Sequence, residues 1–226
     1  MTVVLSTLGS RGAELSVEPA SLVPGNELAM RFAYADPPYP GKARKYYRDH
    51  ADYGGEVDHR ELIERLEAEF PDGWALSTSA GALQEILPMC PKPRSRGAAG
   101  GGCGESLRLL AWCKPVAQQG MGGPRYGWEP VILRGGRRER AFGNPRDWLV
   151  CSPDLYTFRA RPAGHVTGAK PPPFLTWLFG CLGARPGDEL IDLYPGSGAV
   201  ARAWESFSAQ PELDFAAARS NGADER

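Results

Sequence analysis

The sequence predicts an α/β fold, a sheet with helices packed on both faces. Three observations carry that reading. Short apolar runs alternate with longer segments of helical periodicity, the signature of strand-helix crossovers. One apolar run, Leu28–Ala35, stops abruptly at Asp36-Pro37-Pro38-Tyr39. Another, Glu189–Leu193, runs into a glycine turn, Asp192-Leu193-Tyr194-Pro195-Gly196-Ser197-Gly198, and then into a helical pattern. Strand, acidic residue, Gly-x-Gly and helix is the layout of a nucleotide-binding crossover.

The elements follow in order. Residues 1–27 are mixed, broken by Pro19, Pro24 and Gly25. Leu28–Ala35 is a buried strand ended by a proline-stiffened turn. Residues 41–57 are polar and rich in Tyr and Gly, hence a loop. Asp58 caps a helix with Glu61 in capping-box register, and Leu62, Ile63, Leu66 and Phe70 line one face of it. Pro71-Asp72-Gly73 ends that helix. Trp74–Thr78 is a second strand, followed by a short helix through Leu87. Residues 88–104, with Gly100-Gly101-Gly102, form a surface loop. Leu107–Cys113 and Trp128–Leu133 are a third and a fourth strand, separated by a glycine-rich turn at 120–127. Residues 134–165 show little periodicity and read as an irregular insertion. Pro171–Gly183 is an apolar helix with prolines at its start and glycine at its end. Val200, Ala203, Trp204 and Phe207 mark the last helix by their i, i+3, i+4, i+7 spacing. No internal repeat is visible.

Length and composition narrow the class of function. A chain of 226 residues fits one domain, 1–226, with a sizeable core. Hydrophobic residues make up 42% and charged residues 23%, which fits a soluble globular protein. No apolar run approaches the ~18 residues of a membrane span, and residues 1–10 lack the basic flank of a secretory signal. The cysteines (Cys90, Cys103, Cys113, Cys151 and Cys181) are odd in number and show no CxxC spacing. That argues against a disulfide framework or a zinc knuckle and fits a reducing, cytoplasmic setting. Net charge is −1, so the chain is not a globally basic nucleic-acid binder. Locally, Lys42, Arg44, Lys45 and Arg48 follow the proline turn, and Arg134, Arg137, Arg138, Arg140 and Arg146 form a second cluster. Clusters in loop-rich sequence suit ligand contact, and equally a solvated surface.

Asp36-Pro37-Pro38-Tyr39 has a chemical logic. An exocyclic amino group on an aromatic base is a poor nucleophile, because its lone pair is delocalised into the ring. The Asp36 carboxylate and the Pro37 carbonyl are two acceptors that can take its two N–H groups and relieve developing positive charge. Pro37 and Pro38 stiffen the turn, so the acceptors are preorganised. Tyr39 can stack on a base extruded from a duplex. No metal and no covalent enzyme intermediate is required. In the second motif, Gly196 and Gly198 permit close approach of backbone to a ligand. It lacks the Lys-Ser/Thr of a P-loop and the third glycine of a dinucleotide fingerprint.

The two motifs together resemble the S-adenosylmethionine-dependent amino-methyltransferases of DNA. Asp192, Gly196, Ser197 and Gly198 match the family's cofactor loop, Tyr194 stands for its aromatic residue, and Leu193 replaces a proline. Asp36-Pro37-Pro38-Tyr39 resembles the family's catalytic motif, in which aspartate first is typical of adenine-N6 enzymes. His165-Val166-Thr167-Gly168-Ala169-Lys170-Pro171 resembles, one residue looser, the His-Pro-Thr-x-Lys-Pro segment of the permuted β-class. The middle strands around Trp112-Cys113-Lys114-Pro115 and Trp128-Glu129-Pro130-Val131 are similar too. The resemblance spans roughly residues 28–215, carried by motif order more than by continuous similarity.

The resemblance implies a Rossmann-like methyltransferase sheet in circularly permuted motif order, S-adenosylmethionine as cofactor, and DNA as partner. It implies catalytic roles for Asp36, Pro37, Pro38 and Tyr39. Cofactor contacts fall to Asp192, Tyr194, Gly196, Ser197, Gly198 and Lys170, and to Glu212 in Glu212-Leu213-Asp214. Lys42, Arg44, Lys45, Arg134, Arg137, Arg138 and Arg140 would position the DNA strand through phosphates, and the substrate would be read by loops 40–57, 91–104 and 134–165. The family usually carries more sheet after the cofactor loop than the residues left here, so one strand is expected to be absent or supplied by residues 1–27. Cytosine-N4 or RNA-adenine methylation, and a non-catalytic nucleic-acid-binding protein on the same fold, remain open. So does a phage-type role, and so does oligomeric state, a homodimer included.

Overall fold

The computed structural model describes residues 28–43, 55–92, 107–118, 126–138, 144–152 and 169–209. Its first element, β1 (Arg31–Ala35), buries Phe32 through Ala35 completely, so its ladder is satisfied on both sides and its faces are both covered. The helix α1 (His59–Glu69) starts where the sequence places it: the Asp58 carboxylate accepts from the Arg60 and Glu61 amides at 2.9 and 3.1 Å. Its apolar stripe, Leu62, Ile63 and Leu66, is buried with Phe70 just beyond its end. β2 (Gly73–Ser77) follows, fully buried, and then a short helix α2 (Leu83–Ile86) between 3-10 turns at Ala80–Ala82 and Leu87–Met89.

Strands β3 (Arg108–Gln118) and β4 (Tyr126–Gly135) form an antiparallel pair. A three-residue strand β5 (Trp148–Val150) pairs parallel to β3. It lies inside the segment expected to be irregular. Three residues are too few to show a period, and this strand exists through its partner rather than through its own pattern. Helix α3 (Pro172–Leu182) begins with prolines, where missing N–H groups cost nothing. It ends in a Schellman motif: Gly183 N donates to Gly180 O at 3.0 Å and Ala184 N to Phe179 O at 2.9 Å. β6 (Glu189–Asp192) and α4 (Ala199–Ser208) complete the chain that is described.

The sheet order is β5-β3-β4-β2-β1-β6. β1 runs parallel to β2 and to β6, while β4 is antiparallel to both β2 and β3. The helices divide between the faces as expected. α1 and α2 cover Ala33, Ala35, Trp74, Leu76 and Ile132. α3 and α4 cover Phe32, Tyr34, Trp112, Val131 and Leu133. Phe174 of α3 is the central wedge of the second layer, its ring centroid 4.9 Å from that of Trp112 and 6.3 Å from that of Tyr34. Phe179 meets Trp204 of α4 edge-on at 5.2 Å. Among the described residues β6 has β1 as its ladder partner and no strand beyond it; residues 1–27, the other expected source of a strand, lie outside the described residues.

Candidate active site

The register of β1 against β6 creates the site. Tyr34 pairs with Asp192, and Leu193 N donates to Tyr34 O at 2.9 Å. Two residues past Tyr34 is Asp36, so the proline turn and the glycine loop leave the same carboxyl edge from neighbouring strands. In an open parallel sheet that edge is where ligands bind. Motifs about 150 residues apart in the chain thus become adjacent.

The period of two sets the face. Tyr34 and Asp192 are directly paired, and Asp36 continues their alternation toward the α3 layer. Trp112 and Glu129 are directly paired across β3 and β4, and Lys114 follows Trp112 by two residues. All these groups converge over α3. Lys170, just before α3, places its ammonium 2.5 Å from Asp36 Oδ2, with 7% of the lysine side chain and 23% of the aspartate exposed. Its Nζ also lies 5.8 Å from the Trp112 ring centroid. Lys170, expected beside the cofactor loop, partners the carboxylate of the proline turn and also acts on the Asp192 carboxyl of that loop. An ionised carboxylate has lone pairs enough for the ammonium and a substrate N–H together.

The turn after Asp36 is built in two steps. Pro37 is buried and Pro38 half-buried. Tyr39 O accepts from Lys42 N at 2.8 Å, with Pro40 second and Gly41 third in the turn. Gly41 has φ 68°, which a type II turn requires at that place and which glycine alone adopts freely. The Tyr39 hydroxyl donates to Glu129 Oε2 at 3.2 Å. The other oxygen of Glu129 is held by the Lys114 ammonium, which stacks 4.5 Å over the Trp112 ring. Behind the turn, the fully buried Tyr34 hydroxyl lies 2.8 Å from Ser77 Oγ. Burial, followed by the nearby Asp36 charge, pushes the Tyr34 phenol well above its ordinary range.

The glycine loop is shaped for a ligand. Asp192 Oδ1 accepts from Tyr194 N at 3.1 Å, an Asx turn. Its Oδ2 is buried without a hydrogen-bonding partner. Burial and then the Asp36 charge raise the Asp192 carboxyl, against the Tyr194 amide and Lys170, which lower it. Gly196 and Gly198 both have positive φ, 41° and 68°. Gly198 precedes the first turn of α4, whose amides, among the described residues, are free to face a ligand apart from Ala199 N, which donates to Ser197 Oγ at 3.3 Å.

The arginine cluster belongs elsewhere. Arg134 pairs with Trp74 at the amino-terminal end of β2, and its Nε lies 2.5 Å from Glu67 Oε1. Arg137 Nη2 lies 2.6 Å from Asp188 Oδ1, directly before β6, with Arg137 10% and Asp188 2% exposed. Both side chains tie the amino edge of the sheet together, opposite Asp36. Arg138 follows at the same edge and is exposed. Lys42 is exposed on the proline-turn side. Arg44, Lys45, Arg140, Glu212 and His165, with most of loops 40–57, 91–104 and 134–165, lie outside the described residues.

Sequence reasoning missed Lys114 and Glu129 as site residues. A signal was present: each is a charged residue in an otherwise apolar strand, at an inward position. Their partnership needed the register of β3 against β4 to become visible.

No protein-family model matches the chain, and no curated protein does either. Among solved structures it is similar to a crystal structure of the M1.HpyAVI–SAM complex, with a TM-score of 0.50 and 11% sequence identity, over 88% of this chain and 90% of that one. A crystal structure of M1.HpyAVI matches with a TM-score of 0.47 at 10% identity, over 88% and 89%. The first likeness shows the fold, a Rossmann-like methyltransferase sheet.

Proposed function

We propose that this chain is an S-adenosylmethionine-dependent methyltransferase that methylates the exocyclic N6 amino group of adenine in DNA. The observation that carries the reading is the pairing of Tyr34 with Asp192, which sets the amino-binding turn beside the glycine loop on one edge. That M1.HpyAVI, a protein of the same fold, was crystallised with SAM supports the choice of cofactor.

The residues present fit that cofactor. Asp192 Oδ2, buried and unpartnered, is an acceptor waiting for a donor, and an ammonium group supplies one. Gly196 and Gly198 keep the loop free of side chains where a ligand would lie along it, and the first amides of α4 suit a carboxylate. Tyr194 and Ser197 flank the loop. When bound, S-adenosylmethionine supplies a methyl group made electrophilic by its sulfonium.

The chain's own residues prepare the nucleophile. Asp36 and the Pro37 carbonyl accept the two N–H groups of the amino nitrogen, which draws its lone pair out of the ring. Lys170 keeps the Asp36 carboxylate oriented by its direct pairing. As positive charge develops on nitrogen, the carboxylate stabilises it, and one N–H proton leaves along the same hydrogen bond. Tyr39 stacks on the extruded base. Lys42, with Arg44 and Lys45, contacts phosphates beside the site, and loops 40–57 and 91–104 read the substrate.

The test is methyl transfer from labelled S-adenosylmethionine to unmethylated genomic DNA, with product nucleosides identified by mass spectrometry. N6-methyladenine is expected, and Asp36→Ala should lower its formation by at least a hundredfold while leaving cofactor affinity within about threefold. N4-methylcytosine as product, or transfer to RNA alone, would move the assignment to those substrates. No saturable cofactor binding would overturn the enzyme reading in favour of a non-catalytic nucleic-acid-binding protein.

A further inference from the structure

Tyr39 is held at both ends. Its backbone lies between Pro38 and the Pro40-Gly41 turn, whose closing bond is Lys42 N to Tyr39 O at 2.8 Å. Its hydroxyl reaches across the sheet edge to Glu129 Oε2 at 3.2 Å. Glu129 is itself fixed, because its second oxygen carries the Lys114 ammonium. Lys114, only 8% exposed, rests on the Trp112 ring. That ring is locked in turn by Phe174 at 4.9 Å and by a bond from its Nε1 to Cys151 O at 3.0 Å. The orientation of a tyrosine on a loop is thus inherited, through an ion pair, from the core.

This arrangement has a chemical consequence. A free tyrosine must give up its side-chain freedom when a base stacks on it, and that ordering weakens binding by up to about tenfold per side chain. A tyrosine already ordered does not. The ion pair is a costly way to orient a hydroxyl unless orientation matters, since two charges are withdrawn from water to do it.

We propose that Glu129 is a positioning residue for substrate: braced by Lys114, it holds the Tyr39 ring ready to receive the target base. The inference rests on the methyltransferase reading above. It assigns to Glu129 and Lys114 no contact with the reacting atoms. It separates their effect from that of Asp36, because loss of the brace should act on capture of the base while the amino-binding acceptors stay in place.

The experiment compares full-length wild type, Glu129→Leu, Tyr39→Phe, their double variant, and Glu129→Gln combined with Lys114→Met. The last keeps an acceptor for the Tyr39 hydroxyl and leaves no unpaired buried ammonium. Methylation of genomic DNA is measured for kcat and KM, and cofactor affinity by titration calorimetry. Glu129→Leu should raise KM for DNA about tenfold, with kcat and cofactor affinity within about threefold. Tyr39→Phe should add no further loss in that background, and the Glu129→Gln, Lys114→Met pair, which restores an acceptor for the Tyr39 hydroxyl without its ionic brace, should recover only part of the loss. Losses that multiply in the double variant, a fall in cofactor affinity equal to the rise in KM, or either full recovery or none in the rescue pair would overturn the proposal.

A second readout needs no turnover. In protein labelled with 3-fluorotyrosine, the Tyr39 resonance, assigned by its absence in Tyr39→Phe, should shift in Glu129→Leu and return only part of the way in the rescue pair. If wild type methylated no DNA, the function proposed above would fall, and this resonance would still decide the brace. A Tyr39 signal unmoved by Glu129→Leu would sink it.

Discussion

At the scale of single residues, the site concentrates polar atoms that a purely structural edge would avoid. Asp192 is the clearest case. Its Oδ2 is buried and unpartnered, a situation that costs about 1–3 kcal/mol, and burial raises its carboxyl. A group whose pKa is higher in the folded state contributes stability below its unfolded value and loses it as pH rises through the folded value. The penalty therefore grows upward from about pH 4. Asp192→Asn retains an oxygen for the Tyr194 amide and removes the charge. The variant should unfold at a higher temperature than wild type at pH 7, the gap closing as pH falls toward 4. Its affinity for S-adenosylmethionine should drop at least tenfold, through loss of a charged acceptor. Thermal unfolding across pH and calorimetric titration check both halves. Equal melting temperatures at pH 7, or a gap that widens in acid, would mean that the buried oxygen is not under strain.

At the scale of elements, the two sheet edges divide the labour. The carboxyl edge gathers Asp36, Lys170, Glu129 and Asp192, while the amino edge is stapled by Arg134 with Glu67 and Arg137 with Asp188. Arg134→Gln should accordingly destabilise the fold by about 1 kcal/mol, as expected for a partly exposed pair. It should leave the salt dependence of DNA binding unchanged, whereas Lys42→Gln should make that slope shallower by about one unit. A shallower slope for Arg134→Gln would return that residue to the DNA surface. The same division shows what the sequence made legible. Helix α1 was readable because Asp58, Leu62, Ile63 and Leu66 act through neighbours three or four residues away. α3 and α4 were readable for the same local reason, and the proline turn and glycine loop because each is a contiguous motif. β5 was not, since three residues have no period, and the roles of Arg134, Lys170, Lys114 and Glu129 were not, since each is set by a partner brought in by strand register. An arginine's sequence neighbours do not say which edge of a sheet it faces.

At the scale of the whole molecule, the glycine loop hangs from the sheet's least supported strand. β1 is flanked by β2 and β6, and Phe32 through Ala35 are fully buried. β6 is half-buried at best and, among the described residues, has its ladder to β1 alone. Local opening of an edge strand costs less than global unfolding, so the β6 amides should exchange with solvent faster than those of β1. A ligand that binds only the closed form raises the opening free energy by RT ln(1 + [L]/Kd), about 2.7 kcal/mol at a hundredfold excess over Kd. Saturating S-adenosylmethionine should therefore slow exchange in β6 and the first turn of α4 by up to about a hundredfold, with smaller changes at β3 and β5. Gly196→Val offers the control. Among the described residues, a Cβ there meets only Tyr194 O at 3.7 Å, so there is room for it, but φ 41° disfavours a branched residue. The variant should keep the exchange pattern of free β1 and β2 and lose the protection that cofactor gives to β6. Protection spread evenly over the sheet would place the ligand elsewhere, and protection retained in Gly196→Val would remove the glycine loop from the site.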